Sequence, residues 1–227
     1  QELVLLEQVE QNKAELDLEL QKMSVGATWG SQATRILQLP GLGVIVTMTI
    51  LGAIGDIRRF EDAKHLVGYA GLGAGVHDSG KEHKDKGITK SGRKELRWAL
   101  IEAAWKAVSM SPLWSARYEE LKKRKGPNKA IVAIARKLLV TIWYVLAREE
   151  TDCHASETDL AWKMLLWSWS LGDEARLGLT PKQFAKYSLL RLGVASDVTS
   201  FMRGKVLRRI APTQEVLARL SELGLTA

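Results

Sequence analysis

The sequence predicts a mainly α-helical protein, and three observations lead there. Apolar residues recur at three- and four-residue spacing through residues 1–24, 92–107 and 127–147. Helix start signals stand where such stripes begin, with Pro112, Pro127 and the pair Thr180-Pro181 at first helical positions. Glycine-containing turns such as Pro40-Gly41-Leu42-Gly43 separate the apolar runs. The 227 residues are enough for one large or two small domains with a hydrophobic core, and 46% hydrophobic with 26% charged residues is an ordinary globular balance. A net charge of +7 favours a polyanionic partner, nucleic acid before membrane. The single cysteine, Cys153, excludes an internal disulfide framework and fits a reducing cytoplasm.

Residues 1–24 read as one long helix without Gly or Pro, with Leu6, Val9, Leu16, Leu20 and Met23 in its apolar seam. About three heptads suit a coiled-coil-like segment, either packed along its own domain or pairing with a second copy. Glu2, Glu7 and Glu10 interrupt any signal-peptide core, and a start at Gln1 without methionine leads us to expect a piece of a longer protein. Gly26 and Gly30 close this element. Ile36 to Thr47 then has the pattern of a helix-hairpin-helix-like module. Gly41 and Gly43 permit its tight turn and offer backbone N–H groups to a DNA phosphate, although a plain turn between core helices has the same composition. Asp56 is placed to cap the next element, and Glu61 to Tyr69 forms a short helix. The run Gly71-Leu72-Gly73-Ala74-Gly75 is only superficially a nucleotide fingerprint, because no strand precedes it and no acidic ribose partner stands at the required distance. An extended, β-like excursion near Gly71 to Val76 is expected instead.

The polar stretch from His77 to Arg97 organises the rest. Ser79 precedes Gly80 and Ser91 precedes Gly92, so each hydroxyl sits where backbone turns or is closely approached. Lys81, Lys84, Lys86, Lys90, Arg93, Lys94 and Arg97 surround them. A hydroxyl among cations suits phosphate binding or attack on a phosphodiester, while on composition alone the stretch is also a solvated surface loop. Cations at the start of the helix from Gly92, whose stripe is Leu96, Leu100, Ala103, Ala104 and Ala107, oppose its dipole, and a bound anion would relieve that conflict.

Pro112 opens a helix ending in Lys122-Lys123-Arg124-Lys125, and Pro127 opens a long one. Its apolar run, Ala130 to Ala147, carries Arg136 and Lys137 and reads as a buried amphipathic helix rather than a membrane span. After Glu150 a polar linker leads to a tryptophan-rich helix, Leu160 to Trp169, then to helices starting at Pro181 and Thr213. Trp162, Trp167 and Trp169 suit base stacking, but at helical spacing aromatic residues are more often core.

No metal site emerges from His65, His77, His83, His154 and Cys153, no Walker A loop is present, and no carboxylate cluster suggests a two-metal nuclease. A serine nucleophile remains the best chemical reading.

Five motifs occur in order: Leu39-Pro40-Gly41-Leu42-Gly43; Gly55-Asp56-Ile57 with Arg59-Phe60; Leu66-Val67-Gly68-Tyr69-Ala70-Gly71-Leu72; Ser79-Gly80-Lys81; and Gly87-Ile88-Thr89-Lys90-Ser91-Gly92 with Leu96-Arg97. Over about residues 36–150 the chain resembles the C-terminal domain of insertion-sequence transposases of the IS110 family, relatives of the Piv DNA invertase. The resemblance implies an N-terminal RuvC-like half with four acidic Mg ligands, a coiled-coil region, and a helical domain whose serine joins covalently to a DNA phosphate, guided by a structured bridge RNA. Ser79 matches the family serine, with Ser91 a weaker candidate. The RuvC-like half lies outside this chain, so catalysis is expected to require it and no cofactor is expected within the chain itself.

The expectations are therefore a coiled-coil-like region over 1–31, a transposase C-terminal domain over 32–150 and a helical extension over 151–227. Ser79 is the catalytic residue, and Gly41, Gly43, Lys81, Lys84, Lys86, Lys90, Arg93 and Arg97 bind DNA. The partners are DNA, a guide RNA and a second copy through the N-terminal helix, with no membrane, in a bacterial or archaeal cytoplasm at the nucleoid. The alternatives are a non-catalytic DNA- or RNA-binding module, or a helical interaction protein with an incidental positive surface.

Overall fold

The computed structural model describes residues 2–79 and 82–226, and side-chain placement is described for all of these except 76–79 and 82–86. Helices dominate, as the periodicity predicts. In chain order they are α1 (Glu2–Val25), α2 (Gly30–Leu37), α3 (Val44–Ile54), α4 (Ala63–Tyr69), α5 (Lys94–Met110), α6 (Pro112–Lys125), α7 (Pro127–Ala147), α8 (Glu157–Ser170), α9 (Pro181–Arg191) and α10 (Thr213–Leu223). Two antiparallel hairpins interrupt them, β1 (Ala74–Ser79) with β2 (Glu82–Ile88), and β3 (Ser200–Arg203) with β4 (Val206–Arg209). The chain divides into two compact units. One comprises Gln1–Gln38, Gly43–Met48 and Cys153–Ala227, and the other Leu39–Leu42 and Thr49–Asp152.

In the second unit α7 packs against α4, α5 and α6, and α5 also packs on α6. The face of α7 predicted from its period is buried: Ile131, Ile134, Ala135, Leu138, Ile142, Val145 and Leu146. By length and composition α7 could cross a membrane, yet half of its most apolar window is buried inside the protein. Arg136 and Lys137 are exposed on its other side, the pattern of an amphipathic helix. Helix boundaries obey local chemistry. Pro112 cannot continue α5 but fits the first turn of α6, and Gly126, at φ 78, ends α6 before Pro127 starts α7. The run Lys122 to Lys125 fills the last turn of α6, where cations offset the helix dipole. Between α2 and α3, Gly41 lies at φ 82, and a Cβ there would come within 2.4 Å of the Ala103 carbonyl oxygen and 2.5 Å of the Ala107 nitrogen. The turn is thus pressed onto the backbone of α5, where no other residue fits.

In the first unit α8 and α9 pack together, α2 lies on both, and α10 rests on α9. Trp167 meets Phe184 edge-on with ring centroids 4.9 Å apart, the centre of this core. The helix start predicted at Thr180-Pro181 carries a full capping box with Gln183. Lys186 is fully buried, and its Nζ donates to the carbonyls of Ala195, Ser196 and Val198. Burial pushes its pKa below the usual lysine value. Only the C-terminal part of α1 packs within the unit, where Lys22 pairs with Glu174 at 3.2 Å and Gln21 accepts from the Gly172 N–H at 3.2 Å. Leu6, Val9, Leu16 and Met23 of the expected seam are exposed.

Candidate nucleic-acid interface

The segment expected to be extended from Gly71 to Val76 is the root of a longer hairpin than the sequence suggests. Strand β1 pairs with β2 from Ala74↔Ile88 at its base to Ser79↔Glu82 at its far end, with a register shift between Ala74 and Gly75. At about 3.3 Å per residue, the Ser79 backbone stands roughly 17 Å from Ala74. Lys81 lies outside the described residues, as do the side chains of Ser79, Lys84 and Lys86.

The base of the hairpin is clamped by backbone. The N–H of Arg93 donates to the Tyr69 carbonyl at 3.1 Å, Lys90 N–H to Gly71 at 3.1 Å, and Thr89 N–H to Gly73 at 3.0 Å. Gly92 makes this possible, because a Cβ there would meet the Tyr69 carbonyl oxygen at 2.2 Å and the Gly71 nitrogen at 2.5 Å. Two glycines from separate sequence motifs therefore touch backbone to backbone.

Charged side chains lock the same junction. Tyr69 donates its hydroxyl hydrogen to the Ala53 carbonyl at 3.1 Å and accepts from Arg93 Nε at 3.0 Å. Arg93 holds the phenol below its ordinary pKa, outweighing the opposing effect of burial. The Arg59 guanidinium lies 5.1 Å from the Tyr69 and Phe60 ring centroids. Arg97 Nη1 donates to the Ala70 carbonyl at 3.1 Å, and Trp143 Nε1 on α7 donates to the Phe60 carbonyl at 3.1 Å. Asp56 caps the 3₁₀ turn Ile57–Arg59 and holds Arg58 through both carboxylate oxygens, so its carboxyl is kept below the usual range. Asp62 caps α4 through the His65 N–H at 2.8 Å, with the same effect on its own carboxyl.

The structure thus brings Arg93 and Arg97 together at the hairpin root, each with a protein partner as well as free donor capacity. A guanidinium has five N–H donors, so one bond to the chain leaves others for a phosphate. Lys90, at φ 56, Ser91 and Lys94 are exposed beside them. Helix α5 starts here without a side-chain cap, its first-turn amides beside the cations. Gly41 is elsewhere: its contacts at Ala103 and Ala107 lie roughly 14 Å or more along α5 from Lys94. Gly43 is exposed at the start of α3, where its carbonyl accepts the Thr47 N–H at 2.9 Å. Among the described residues no three His, Cys, Asp or Glu side chains converge. Sequence reasoning missed the role of Tyr69 and Arg59 as the locking pair. Both stand inside motifs read in sequence, but nothing local signals that Tyr69 and Arg93 will meet across 24 residues.

Residues 33–119 match the family model described as Transposase IS116/IS110/IS902 family. Over 124 residues the chain is 32% identical to a protein of Coxiella burnetii named transposase for insertion sequence element IS1111A, covering 52% of this chain and 33% of that protein. Over 122 residues it is 39% identical to the pilin gene-inverting protein of Moraxella bovis, covering 52% and 37%. A putative transposase of Sinorhizobium fredii is 30% identical over 151 residues, covering 62% and 38%. The chain therefore spans little more than a third of these relatives' length. The matched segment holds the clamped root, the β1–β2 hairpin and the start of α5, and it is this segment that is similar to the IS116/IS110/IS902 transposase family.

Proposed function

We propose that this chain is the DNA-handling, serine-bearing C-terminal part of a transposase or recombinase that moves or inverts a DNA segment. The observation that supports it is the β1–β2 hairpin, rooted by the Gly71–Gly92 contact in a cluster of cations, with Ser79 at its far end. Relatives named as a transposase and as a pilin gene-inverting protein make DNA rearrangement the activity to assign.

In this reading Lys81, Lys84, Lys86, Lys90, Arg93 and Arg97 hold backbone phosphates, and Gly41 and Gly43 hold a second one. The Ser79 Oγ attacks phosphorus as its proton leaves to a base. A P–O bond to serine forms, the bond to the departing sugar oxygen breaks, and that oxygen takes up a proton. Mg belongs to a RuvC-like half outside this chain, as does the activation that a serine at its free pKa requires. A structured guide RNA, pairing of two copies through α1 and a place at the bacterial or archaeal nucleoid complete the proposal. In the full-length parent, Ser79→Ala abolishes strand joining and leaves DNA binding nearly intact, while the unaltered protein yields a covalent protein–DNA adduct on denaturing gels. Recombination by the alanine variant at the parental rate removes Ser79 from the mechanism. Duplex binding without any adduct favours a purely DNA-gripping module.

A further inference from the structure

We infer that the β3–β4 hairpin and the outer face of α8 form a binding surface for an unpaired DNA strand, separate from the family-matched residues 33–119 and resting on the reading that the chain works on DNA. The three tryptophans of α8 have different environments. Trp167 is core, whereas Trp162 is half-buried and Trp169 is 47% exposed. Trp162 and Trp169 stand edge to face, 5.7 Å between centroids and 84° between planes, which fixes the orientation of the exposed ring. Hairpin cations flank the pair: the Arg208 guanidinium lies 5.6 Å from both ring centroids, and Arg203 is 5.6 Å from Trp162.

Charge complementarity points to a polyanion. The segment Ser200–Arg209 carries Arg203, Lys205, Arg208 and Arg209 and no carboxylate. One cation is neutralised, Arg203 by Asp159 at 3.0 Å. Among the described residues no ion pair is formed by Lys205, Arg208 or Arg209. An exposed indole beside Arg208, a guanidinium with no ion pair among the described residues, is the arrangement in which a base stacks while its phosphate meets a cation. Within an intact duplex each base is covered by its neighbours, so an indole face selects an unpaired one. DNA rearrangement breaks strands and exposes such nucleotides.

The test measures fluorescence anisotropy of a labelled 20-nucleotide oligothymidylate, the corresponding duplex and an oligouridylate against the 227-residue chain. Trp169→Ala weakens oligothymidylate binding on the order of tenfold, Trp169→Phe restores most of it, and duplex binding is unchanged. Arg209→Glu, at an exposed strand end, gives an independent loss. Trp105→Ala, removing an exposed tryptophan of α5, has no effect on oligothymidylate. Undiminished oligothymidylate affinity in both hairpin-surface variants, an equal loss in Trp105→Ala, or tighter binding of oligouridylate each overturns the proposal. Loss of duplex binding in Lys90→Gln tests the hairpin-root reading separately, so failure of one leaves the other standing.

Discussion

Gly92 and Gly43 both precede helices and look alike in sequence, yet the structure gives them opposite weights. A Cβ on Gly92 would drive into the Tyr69 carbonyl and the Gly71 nitrogen, whereas a Cβ on Gly43 meets nothing within 4 Å. Gly92→Ala is expected to cost about 3 kcal/mol or more, because the clamp must open, and Gly43→Ala less than about 1 kcal/mol, as read by urea unfolding. Equal midpoints for the two variants would contradict the close approach. Lys186 makes a comparable point in the other unit. Lys186→Met leaves the carbonyls of Ala195, Ser196 and Val198 without their donor, offset in part by the relief of burying a cation, and is expected to cost about 2 kcal/mol. A methionine variant as stable as the parent would show that these carbonyls find other donors.

Among elements, the β1–β2 hairpin is expected to be only as steady as its root. The Arg97 bond to the Ala70 carbonyl is a charge-assisted contact worth about 1.5–3 kcal/mol. Arg97→Ala should therefore raise hydrogen exchange of the hairpin amides by about tenfold or more while leaving α7 protected, which mass spectrometry resolves by peptide. Equal protection in both proteins would assign the rigidity to backbone pairing alone. Helix α8 supplies a pH test. Burial lowers the Lys163 pKa to about 8, below its unfolded value, so at any pH under 8 folding must bury the charged ammonium. The resulting cost is complete below pH 8 and disappears as pH rises toward the unfolded pKa of 10.5. Lys163→Met is expected to stabilise the protein at pH 7 by up to about 3 kcal/mol, with the gain shrinking between pH 8 and 10.5. A gain that does not vary with pH would deny the shift.

For the whole molecule, the net charge of +7 is expected to act through placement rather than total. Each phosphate contact adds about 0.9 to the slope of log affinity against log salt for duplex DNA, so Lys90→Gln should reduce that slope by nearly one unit. Reversal of Arg136 on α7 should change it little. The α1 seam sets a second expectation at this scale. Leu6→Glu with Val9→Glu places charges on exposed apolar positions and is expected to convert a paired species to a monomer in sedimentation, without lowering the unfolding midpoint of the monomer. A parent that is already monomeric would remove the pairing proposal.

The sequence by itself determined the helices, because their causes are local. Spacing selected the buried face of α7, prolines set the starts of α6, α7 and α9, and Asp56 caps the turn that follows it. It also exposed the ordered motifs that carry the family resemblance. The β3–β4 hairpin escaped notice because strands of four residues are too short for alternation to declare itself. Only the tertiary structure decided that Gly92 touches Gly71, that Tyr69 is held by Arg93, and that Trp169 faces outward while Trp167 is core. Those outcomes depend on contacts between residues far apart in the chain, and no local pattern encodes which distant backbone will arrive.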